Sequence, residues 1–410
     1  MSARICVVTA GHLSTCPRML KAADALDEAG YQVRVISTRH VAWAWEADQR
    51  ARDRRSWPWR VVDYDRTSAR LRQLATGARL RSAQAVAMAV GPARAPLGIA
   101  IRGYSRVHDE LVAAIAAEPA DLVYGGTTGA LAAVAAGAHR LGARFALDLE
   151  DFHSAEQSGA GSVLAHMLAE RIEAHVLPHA AFLTAGSPMI AEAYAAKYGV
   201  RPRAIHNTFP LNLHPPSVPD GPLKMYWFSQ TLGPGRGLDD LVRGIGLANV
   251  RAELHLRARP LRTYAAQLAA LAQSSAPLLE LVLHDPAPPD RMIALAQGYH
   301  FGVSVEDGEV LNHRLCLGNK IFTYLAAGVP VLMTATPAQS RLAADLGQAA
   351  EVYENGSIDA LARIVRRYAD DPRARCVAAN AARAAAERRW HWEHPEDRGA
   401  LLQAVREAVG

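Results

Sequence analysis

The sequence is poor in cysteine and in long apolar runs. Four cysteines, Cys6, Cys16, Cys316 and Cys376, are scattered over 410 residues without a CxxC pair. This spacing excludes a zinc ribbon and a disulfide framework, and it is typical of a reducing, cytoplasmic environment. No apolar run approaches the roughly 20 residues needed to span a bilayer. The first apolar residues, Ile5–Thr9, predict a strand instead of a signal peptide.

Acidic residues are absent from residues 66–108, although the chain as a whole has a net charge of only +5. The same segment contains eight arginines and, between Tyr64 and Tyr104, no aromatic residue. Nucleic-acid-binding proteins usually combine such charge with aromatic side chains, so we expect no nucleic acid partner. We expect Arg66–Arg106 to make peripheral contact with the anionic inner face of a membrane or to bind an anionic acceptor. A solvated basic helix would explain the segment equally well.

Short apolar runs alternate with helical patterns along the whole chain, which favours parallel sheets covered by helices on both faces. The alternation is interrupted at residues 207–222, where five prolines cannot continue a helix or a central strand. We therefore predict an α/β protein with two doubly wound, Rossmann-like domains facing a central cleft. The predicted boundaries are an N-terminal domain (1–207), a linker (208–222), a C-terminal domain (223–390) and a final helix (391–410) that packs back on the first domain.

Two candidate loops follow predicted strands of the first domain, where ligands of doubly wound sheets bind. Gly11 and His12 follow the first strand, and a single glycine there is too few for a dinucleotide fingerprint. Glu150, Asp151 and His153 follow a later strand, and such groups can orient sugar hydroxyls or assist proton transfer. Their spacing matches no metal-binding motif, and we predict no metal site. An ordinary turn at the first loop and helix capping at the second remain open alternatives.

A glycine-rich loop follows the first predicted strand of the second domain. It contains Gln230, Thr231, Gly233, Gly235 and Arg236, and we expect it to bind the donor substrate. The glycines permit close approach of the backbone, and the arginine can bind phosphate with its planar guanidinium group. No Gly-Lys-Ser/Thr ends the loop, so it is not a Walker loop. A flexible loop with a surface arginine is the alternative interpretation.

A fourth segment, Gly318–Val331, predicts a short helix that ends at Gly328 and leads into a strand. Asn319 and Lys320 stand at the N-terminus of this helix, where they can donate to an anionic ligand. A lysine there opposes the helix dipole, and a charge placed against its local preference indicates a ligand. A plain helix–glycine–strand junction is the other interpretation.

These residues resemble GT-B glycosyltransferases of the group 1 (family 4) type. The fourth segment is similar to the donor-site signature of that family, and the loop around Arg236 is similar to its diphosphate loop. Ile5–Gly11 and Asp148–His153 match the loops of the family's acceptor domain more loosely. The sequence departs from the family at Thr323, where a ribose-binding glutamate is usual. Glu309 is the candidate replacement, and Glu306 is a weaker one.

The resemblance implies transfer of a sugar from a nucleotide-diphosphate sugar to an acceptor hydroxyl, with retention of configuration, and with neither a metal nor another cofactor. The residues that we expect to be catalytic are Asp151, His153, Arg236 and Lys320. Donor binding is assigned to the glycine-rich loop, Asn319, Lys320, Thr323 and Glu309. Acceptor binding is assigned to Gly11, His12, Glu150, Asp151 and His153. A sugar-nucleotide epimerase of the same fold and a non-catalytic sugar-nucleotide-binding protein remain alternatives.

Overall fold

The structure, a computed structural model, describes residues 2–156, 162–211, 218–306 and 308–410. The chain divides into two compact units, one formed by Met1–His206 with Pro395–Gly410, and the other by Asn207–His394. Part of the predicted linker, residues 212–217 with Pro215 and Pro216, lies outside the described residues, as does Asp307. No helix within the described ranges is long and apolar enough to cross a membrane.

Each unit contains a sheet in which the described strand pairs are parallel. The strands of the first unit are β1 (Arg4–Thr9), β2 (Gln32–Arg39), β3 (Trp59–Asp63), β4 (Leu122–Gly126), β5 (Arg144–Leu149), β6 (Leu183–Ala185) and β7 (Arg203–Ala204). Those of the second unit are β8 (Leu223–Leu232), β9 (Ala252–Pro260), β10 (Leu279–His284), β11 (Phe301–Ser304), β12 (Val331–Thr334) and β13 (Ala350–Tyr353). The orders are β3-β2-β1-β4-β5-β6-β7 and β10-β9-β8-β11-β12-β13, so both sheets are doubly wound.

Helices connect the strands. Those that precede residue 207 are α1 (Pro17–Glu28), α2 (Ala42–Asp53), α3 (Arg70–Val90), α4 (Leu97–Tyr104), α5 (His108–Ala116), α6 (Leu131–Leu141), α7 (Val163–Val176) and α8 (Pro188–Tyr198). Those of the second unit are α9 (Leu238–Ala248), α10 (Arg262–Ser275), α11 (Met292–Ala296), α12 (Leu311–Leu315), α13 (Asn319–Ala326), α14 (Pro337–Leu346), α15 (Ile358–Asp370) and α16 (Pro372–Arg388). The final helix, α17 (Ala400–Val409), belongs to the first unit.

Local sequence explains several of these elements. Ile5–Val8 of β1 are fully buried, as expected for a central parallel strand that is covered on both faces. Asp371 followed by Pro372 predicts the start of a helix, and α16 begins there: the Asp371 side chain accepts hydrogen bonds from the backbone N–H groups of Arg373 and Ala374, with Pro372 in the first turn. In the second unit, α9, α10 and α15 pack against the sheet to form the main apolar core.

The structure corrects three predicted elements. The sequence pattern of Tyr104–Ala117 predicts one helix, but Tyr104 ends α4 and α5 begins only at His108, because Ser105 is extended and its hydroxyl donates to the Gly129 carbonyl at 2.6 Å. The strand expected at Arg203–His206 pairs over two residues only. Conversely, β8 continues to Leu232 after a bulge, so the first part of the predicted glycine-rich loop is strand.

Candidate functional site

The strand order places a crevice at the carboxyl edge of each sheet. The strand order reverses between β1 and β4 in the first unit and between β8 and β11 in the second. The loops that follow these strands diverge to opposite faces of the sheet and leave room for a ligand between them. Most site residues predicted for each unit lie in loops and helix termini that follow these and the neighbouring strands, whereas Gln230 and Thr231 lie within β8 and Thr323 lies within α13.

In the second unit, the loop after β8 lies directly against the end of β11. Gly235 and Gly237 have φ values of +76° and +66°, which side-chain-bearing residues rarely adopt. A Cβ on Gly237 would lie 3.2 Å from the Cβ of Val305. Gly233 is similarly confined, since a Cβ there would lie 3.0 Å from Leu261. Glycine therefore permits the approach that brings Arg236 to the end of β11.

Arg236 and Lys320 meet at one carboxylate. Glu306, two residues beyond β11, lies 3.5 Å from the Arg236 Nη1 atom and 3.3 Å from the Lys320 Nζ atom. The side chains of Glu306 and Lys320 are 8% and 11% exposed, whereas that of Arg236 is 37% exposed. The backbone N–H of Glu306 donates to the Thr334 hydroxyl at 3.0 Å, which fixes the start of the loop. Two cations thus share one buried anion, and this cluster keeps one net positive charge.

Lys320 stands in the first turn of α13, as the sequence predicts. Its ammonium group opposes the positive end of the helix dipole, and Glu306 offsets this local cost. The ammonium also lies 5.7 Å from the centre of the Trp227 ring, in cation–π range. Asn319, the first residue of the helix, accepts a hydrogen bond of 2.5 Å from the buried side-chain amide of Asn207. The helix N-terminus is therefore held by side chains from two other segments.

The remaining predicted donor residues differ in their exposure to solvent. Thr323 is 3% exposed, and its hydroxyl donates to the Asn319 carbonyl one turn earlier at 3.0 Å. The hydroxyl proton is therefore used within the helix and is not available to a ribose oxygen. Glu309 is exposed in the segment between β11 and α12. Gln230 and Thr231 are exposed at the end of β8.

In the first unit, the loop after β1 is held by His12. The ring is 1% exposed; its Nδ1 atom lies 2.6 Å from Asp48 of α2, and its Nε2 atom accepts from the backbone N–H groups of His40 and Val41. Both ring nitrogens are therefore engaged inside the unit. His12 positions the Gly11 loop, and the expected direct contact of its imidazole with an acceptor finds no support in this geometry.

His153 lies in a second, separate network. Its Nδ1 atom is 3.4 Å from Glu156, which also accepts a hydrogen bond of 2.8 Å from the Thr128 hydroxyl. Its backbone N–H donates to the buried hydroxyl of Tyr194 at 3.1 Å. Burial alone would lower the pKa of His153, but the hydrogen bond and charge of Glu156, with lesser help from Glu173, raise it to about 9. The imidazole is therefore protonated at neutral pH.

The carboxylates around His153 differ in their surroundings. Burial and the neighbouring Asp151 carboxylate raise the pKa of Glu150 to about 7. Burial and the Arg18 guanidinium lower the pKa of Lys21, on α1, to about 7. Asp151 is partly exposed and follows directly. Near neutral pH Glu150 and Lys21 therefore both titrate, and the Glu150 carboxyl group accepts hydrogen bonds when ionised and can donate one when protonated.

Asp148 has a structural role at the start of this segment. Arg18 donates to both of its carboxylate oxygens, at 2.7 and 2.5 Å, and the Thr184 hydroxyl donates to one of them. The Arg18 guanidinium also donates to the Ile205 carbonyl at 2.5 Å. This buried pair anchors the end of β5, and it leaves Glu150, Asp151 and His153 as the functional candidates of the segment.

The loop after β4 was not singled out from the sequence. Thr127 adopts a φ of +78°, and its hydroxyl accepts from the Ala10 backbone N–H at 3.1 Å. The next residue, Thr128, reaches Glu156. This loop therefore connects the Gly11 loop to the His153 network. A left-handed, non-glycine residue at a switch point indicates a functional constraint. The available signal in the sequence was the glycine-rich segment 125–129, at the end of β4 and in the loop that follows. A Cβ on Gly125 would lie 2.6 Å from Val134.

Within the described residues, no group of three or more His, Cys, Asp or Glu side chains is arranged to hold a metal ion.

Comparison with protein families gives a match over one part of the chain. Residues 261–397 match a family described as glycosyl transferase-like. The matched segment includes Glu306 and Lys320 and begins beyond Arg236. No curated protein matches the sequence.

The fold as a whole is similar to several solved structures. HepE from Anabaena, in complex with UDP and glucose, has a TM-score of 0.66 and 17% identity over 99% of both chains. A variant of TarM from S. aureus, in complex with Fondaparinux, alpha-GlcNAc-glycerol and UDP, has a TM-score of 0.68 and 8% identity over 100% of both chains. A Listeria monocytogenes protein with the provisional name UDP-N-acetylglucosamine 2-epimerase has a TM-score of 0.61 and 12% identity, over 99% of this chain and 96% of its own.

At these low sequence identities, the structural similarity shows only a common fold. That fold is GT-B, with two doubly wound α/β units. The family match supplies the relationship in sequence over residues 261–397. Both findings agree with the resemblance drawn from the motifs: the chain has the GT-B fold, and its residues 261–397 are similar to glycosyl transferase-like proteins.

Proposed function

We propose that the chain transfers a glycosyl group from a UDP-sugar to an acceptor hydroxyl, with retention of anomeric configuration and without a metal ion. One observation carries the proposal: Arg236 and Lys320 converge on Glu306 at the switch point of the second unit. The choice of UDP is supported by HepE and TarM, whose structures contain it. Retention and metal independence are implied by the family.

The cation pair suits the chemistry of the donor. The nucleoside diphosphate gains negative charge as the bond to the sugar breaks, and fixed cations stabilise that charge without reorganisation. Arg236 is exposed enough to bind a phosphate through its planar fork, while the more buried Lys320 is held in place by Glu306. The incoming diphosphate would take over the contacts that Glu306 makes with both cations. The second unit is accordingly proposed as the donor-binding domain.

The first unit is proposed as the acceptor-binding domain. His153 is protonated at neutral pH because its pKa is about 9, so it acts as a hydrogen-bond donor instead of a base. Glu150 and Asp151 can accept hydrogen bonds from sugar hydroxyls. We assign no general base, because the leaving phosphate can take the proton of the acceptor hydroxyl in a front-face reaction. Asp151 and His153 remain catalytic candidates in this scheme.

The test measures UDP binding by titration calorimetry and transfer activity with a panel of UDP-sugars and acceptors. Arg236→Ala should weaken UDP binding by roughly 1.5–3 kcal/mol, the cost of losing a charge-assisted contact. Arg243→Ala is the matched control, since this arginine is half-exposed on α9 and pairs with its neighbour Asp240. Equal UDP affinity of the Arg236 variant and the parent would refute the phosphate role.

Two further measurements address the finer points of the proposal. The anomeric configuration of the product, determined by NMR, tests retention. Activity that persists in excess EDTA is expected if no metal takes part, and its loss with recovery on adding a divalent cation would contradict metal independence.

An epimerase is the second candidate function, because the fold is similar to the Listeria protein that carries that provisional name. Conversion of a UDP-sugar without an acceptor would favour it. A protein that binds the sugar nucleotide without turnover is favoured by the engaged hydroxyl of Thr323.

The partners that we propose remain a nucleotide sugar and a hydroxyl-bearing acceptor, with no resident cofactor. Membrane contact through residues 66–106 is a separate proposal, which is supported by the exposed residues of helix α3.

A further inference from the structure

Helix α3 turns an apolar stripe toward solvent. Leu71, Leu74 and Val86 recur at helical spacing along one face together with the alanines at positions 75, 78, 85 and 89, and all are exposed; Ser82 is the polar residue within this face. The largest exposed fractions are 84% for Leu71, 61% for Met88 beside the stripe, and 53% for Leu74. Surface helices of globular proteins normally place such residues against the core and polar residues outside. On α3 the solvent-facing side is the apolar one.

The opposite side of α3 is already covered. It carries small residues, among them Gly77, Ala83 and Ala87, which are buried against the rest of the unit. Ala87 belongs to a cluster of buried residues that includes Ala100 of α4 and Leu168 of α7. The apolar stripe is therefore not needed for the packing of α3, and its exposure requires another explanation.

Arginines flank the stripe on both edges. Arg70 and Arg81 lie along one edge and Arg72 along the other, and all three are exposed. Among the described residues, Arg66, Arg70, Arg81 and Arg94 take part in no ion pair, whereas Arg79 and Arg102 are paired with acidic residues of α5. With no acidic residue between positions 66 and 108, the surface keeps a strong positive charge.

We propose that α3 is a membrane-docking helix that lies in the interface of a bilayer containing anionic lipids, with its apolar stripe among the acyl chains and its arginines at the headgroups. An apolar face bordered by cations, and with no anion, is the composition that favours this position. Two copies of α3 would bring like charges together, which disfavours self-association through the same face. Docking and sugar transfer are separable, because α3 contributes none of the candidate site residues.

The test is co-sedimentation of the full chain with vesicles of phosphatidylcholine, with or without phosphatidylglycerol. We expect binding to the anionic vesicles at low salt and little binding to the neutral ones. The double variant Leu71→Ser/Leu74→Ser should bind about tenfold or more weakly, because it removes two side chains that insert. The control Leu247→Ser/Val377→Ser alters two comparably exposed residues of the second unit and should bind like the parent. Equal thermal unfolding of both variants and the parent shows that the fold is retained.

Several results would overturn the proposal. Equal binding of the Leu71/Leu74 variant and the parent would leave attraction by charge alone, without insertion. Absence of binding to anionic vesicles at low salt would remove the membrane altogether. A concentration-dependent dimer that the same double variant abolishes would make α3 a contact between copies of this chain. Transfer to a water-soluble acceptor should be unchanged in the double variant, whichever result is obtained for vesicles.

Discussion

Replacing Glu156 with glutamine should remove most of the pH dependence that His153 gives to the stability of the first unit. In the folded protein the pKa of His153 rises from an ordinary value of 6.5 to about 9, against the effect of burial and because of Glu156. One pKa unit corresponds to about 1.4 kcal/mol, so the shift is equivalent to about 3 kcal/mol of stabilisation. Since the folded-state pKa is the higher one, this stabilisation is fully present below pH 6.5 and is lost as the pH rises through 9.

Urea unfolding followed at several values between pH 6 and pH 9.5 tests this reasoning, as the parent should lose stability across that window while Glu156→Gln loses much less. A neutral amide keeps the hydrogen bond of Thr128 but cannot hold a charged imidazole, so burial should return the pKa of His153 to 6.5 or below. Glu170→Gln is the control, because this half-exposed carboxylate on α7 pairs with Lys197 and does not approach His153. Parallel pH profiles for the Glu156 variant and the parent would refute the assignment of the raised pKa to this pair.

Three further changes follow from single positions. Glu306→Gln should lower the free energy of unfolding by about 1–3 kcal/mol, because two cations lose their counter-ion. The same change should strengthen UDP binding measured by calorimetry. Weaker UDP binding would contradict competition between the Glu306 carboxylate and the phosphate groups. Gly237→Ala should destabilise by more than Gly221→Ala in urea unfolding, since both have positive φ but only the first is crowded. A thiol reagent should label Cys376 in the native protein but Cys6 only after unfolding, because burial raises the pKa of Cys6 to about 12; native labelling of Cys6 would contradict this.

The sequence predicted the parallel, doubly wound sheets because their signal is local. Each buried strand is a short apolar run, and each is followed by a helical pattern or a break. Helix α2 was missed, since its Ala42–Asp53 sequence alternates tryptophan with alanine and charge and has no clear apolar face. That omission hid Asp48, and with it the reason why His12 is buried with both nitrogens engaged.

The donor cluster was only half visible in the sequence for a different reason. Arg236 stands in a glycine-rich loop and Lys320 opposes a helix dipole, and each feature can be read from neighbouring residues. Glu306 joins them only through the fold, because it lies 70 positions from Arg236 along the chain. A pairing across that separation depends on the adjacency of β8 and β11, which no local pattern contains. The sequence therefore ranked Glu306 as a minor candidate, whereas the structure puts it at the centre of the cluster.

The two switch points differ in charge, and the difference bears on which substrate each unit takes. Around β8 and β11 the two cations outnumber the single carboxylate, so a diphosphate is attracted there. Around β4 and β5 the protonated imidazole of His153 is already matched by Glu156 and the Arg18 guanidinium by Asp148, and the carboxyl groups of Glu150 and Asp151 lie beside them. The carboxylates around β4 and β5 would repel a group with the negative charge of a diphosphate. Neutral hydroxyl groups would find both hydrogen-bond acceptors and a donor there. The charges around each switch point thus support the proposed assignment, in which the second unit binds the donor and the first unit binds the acceptor.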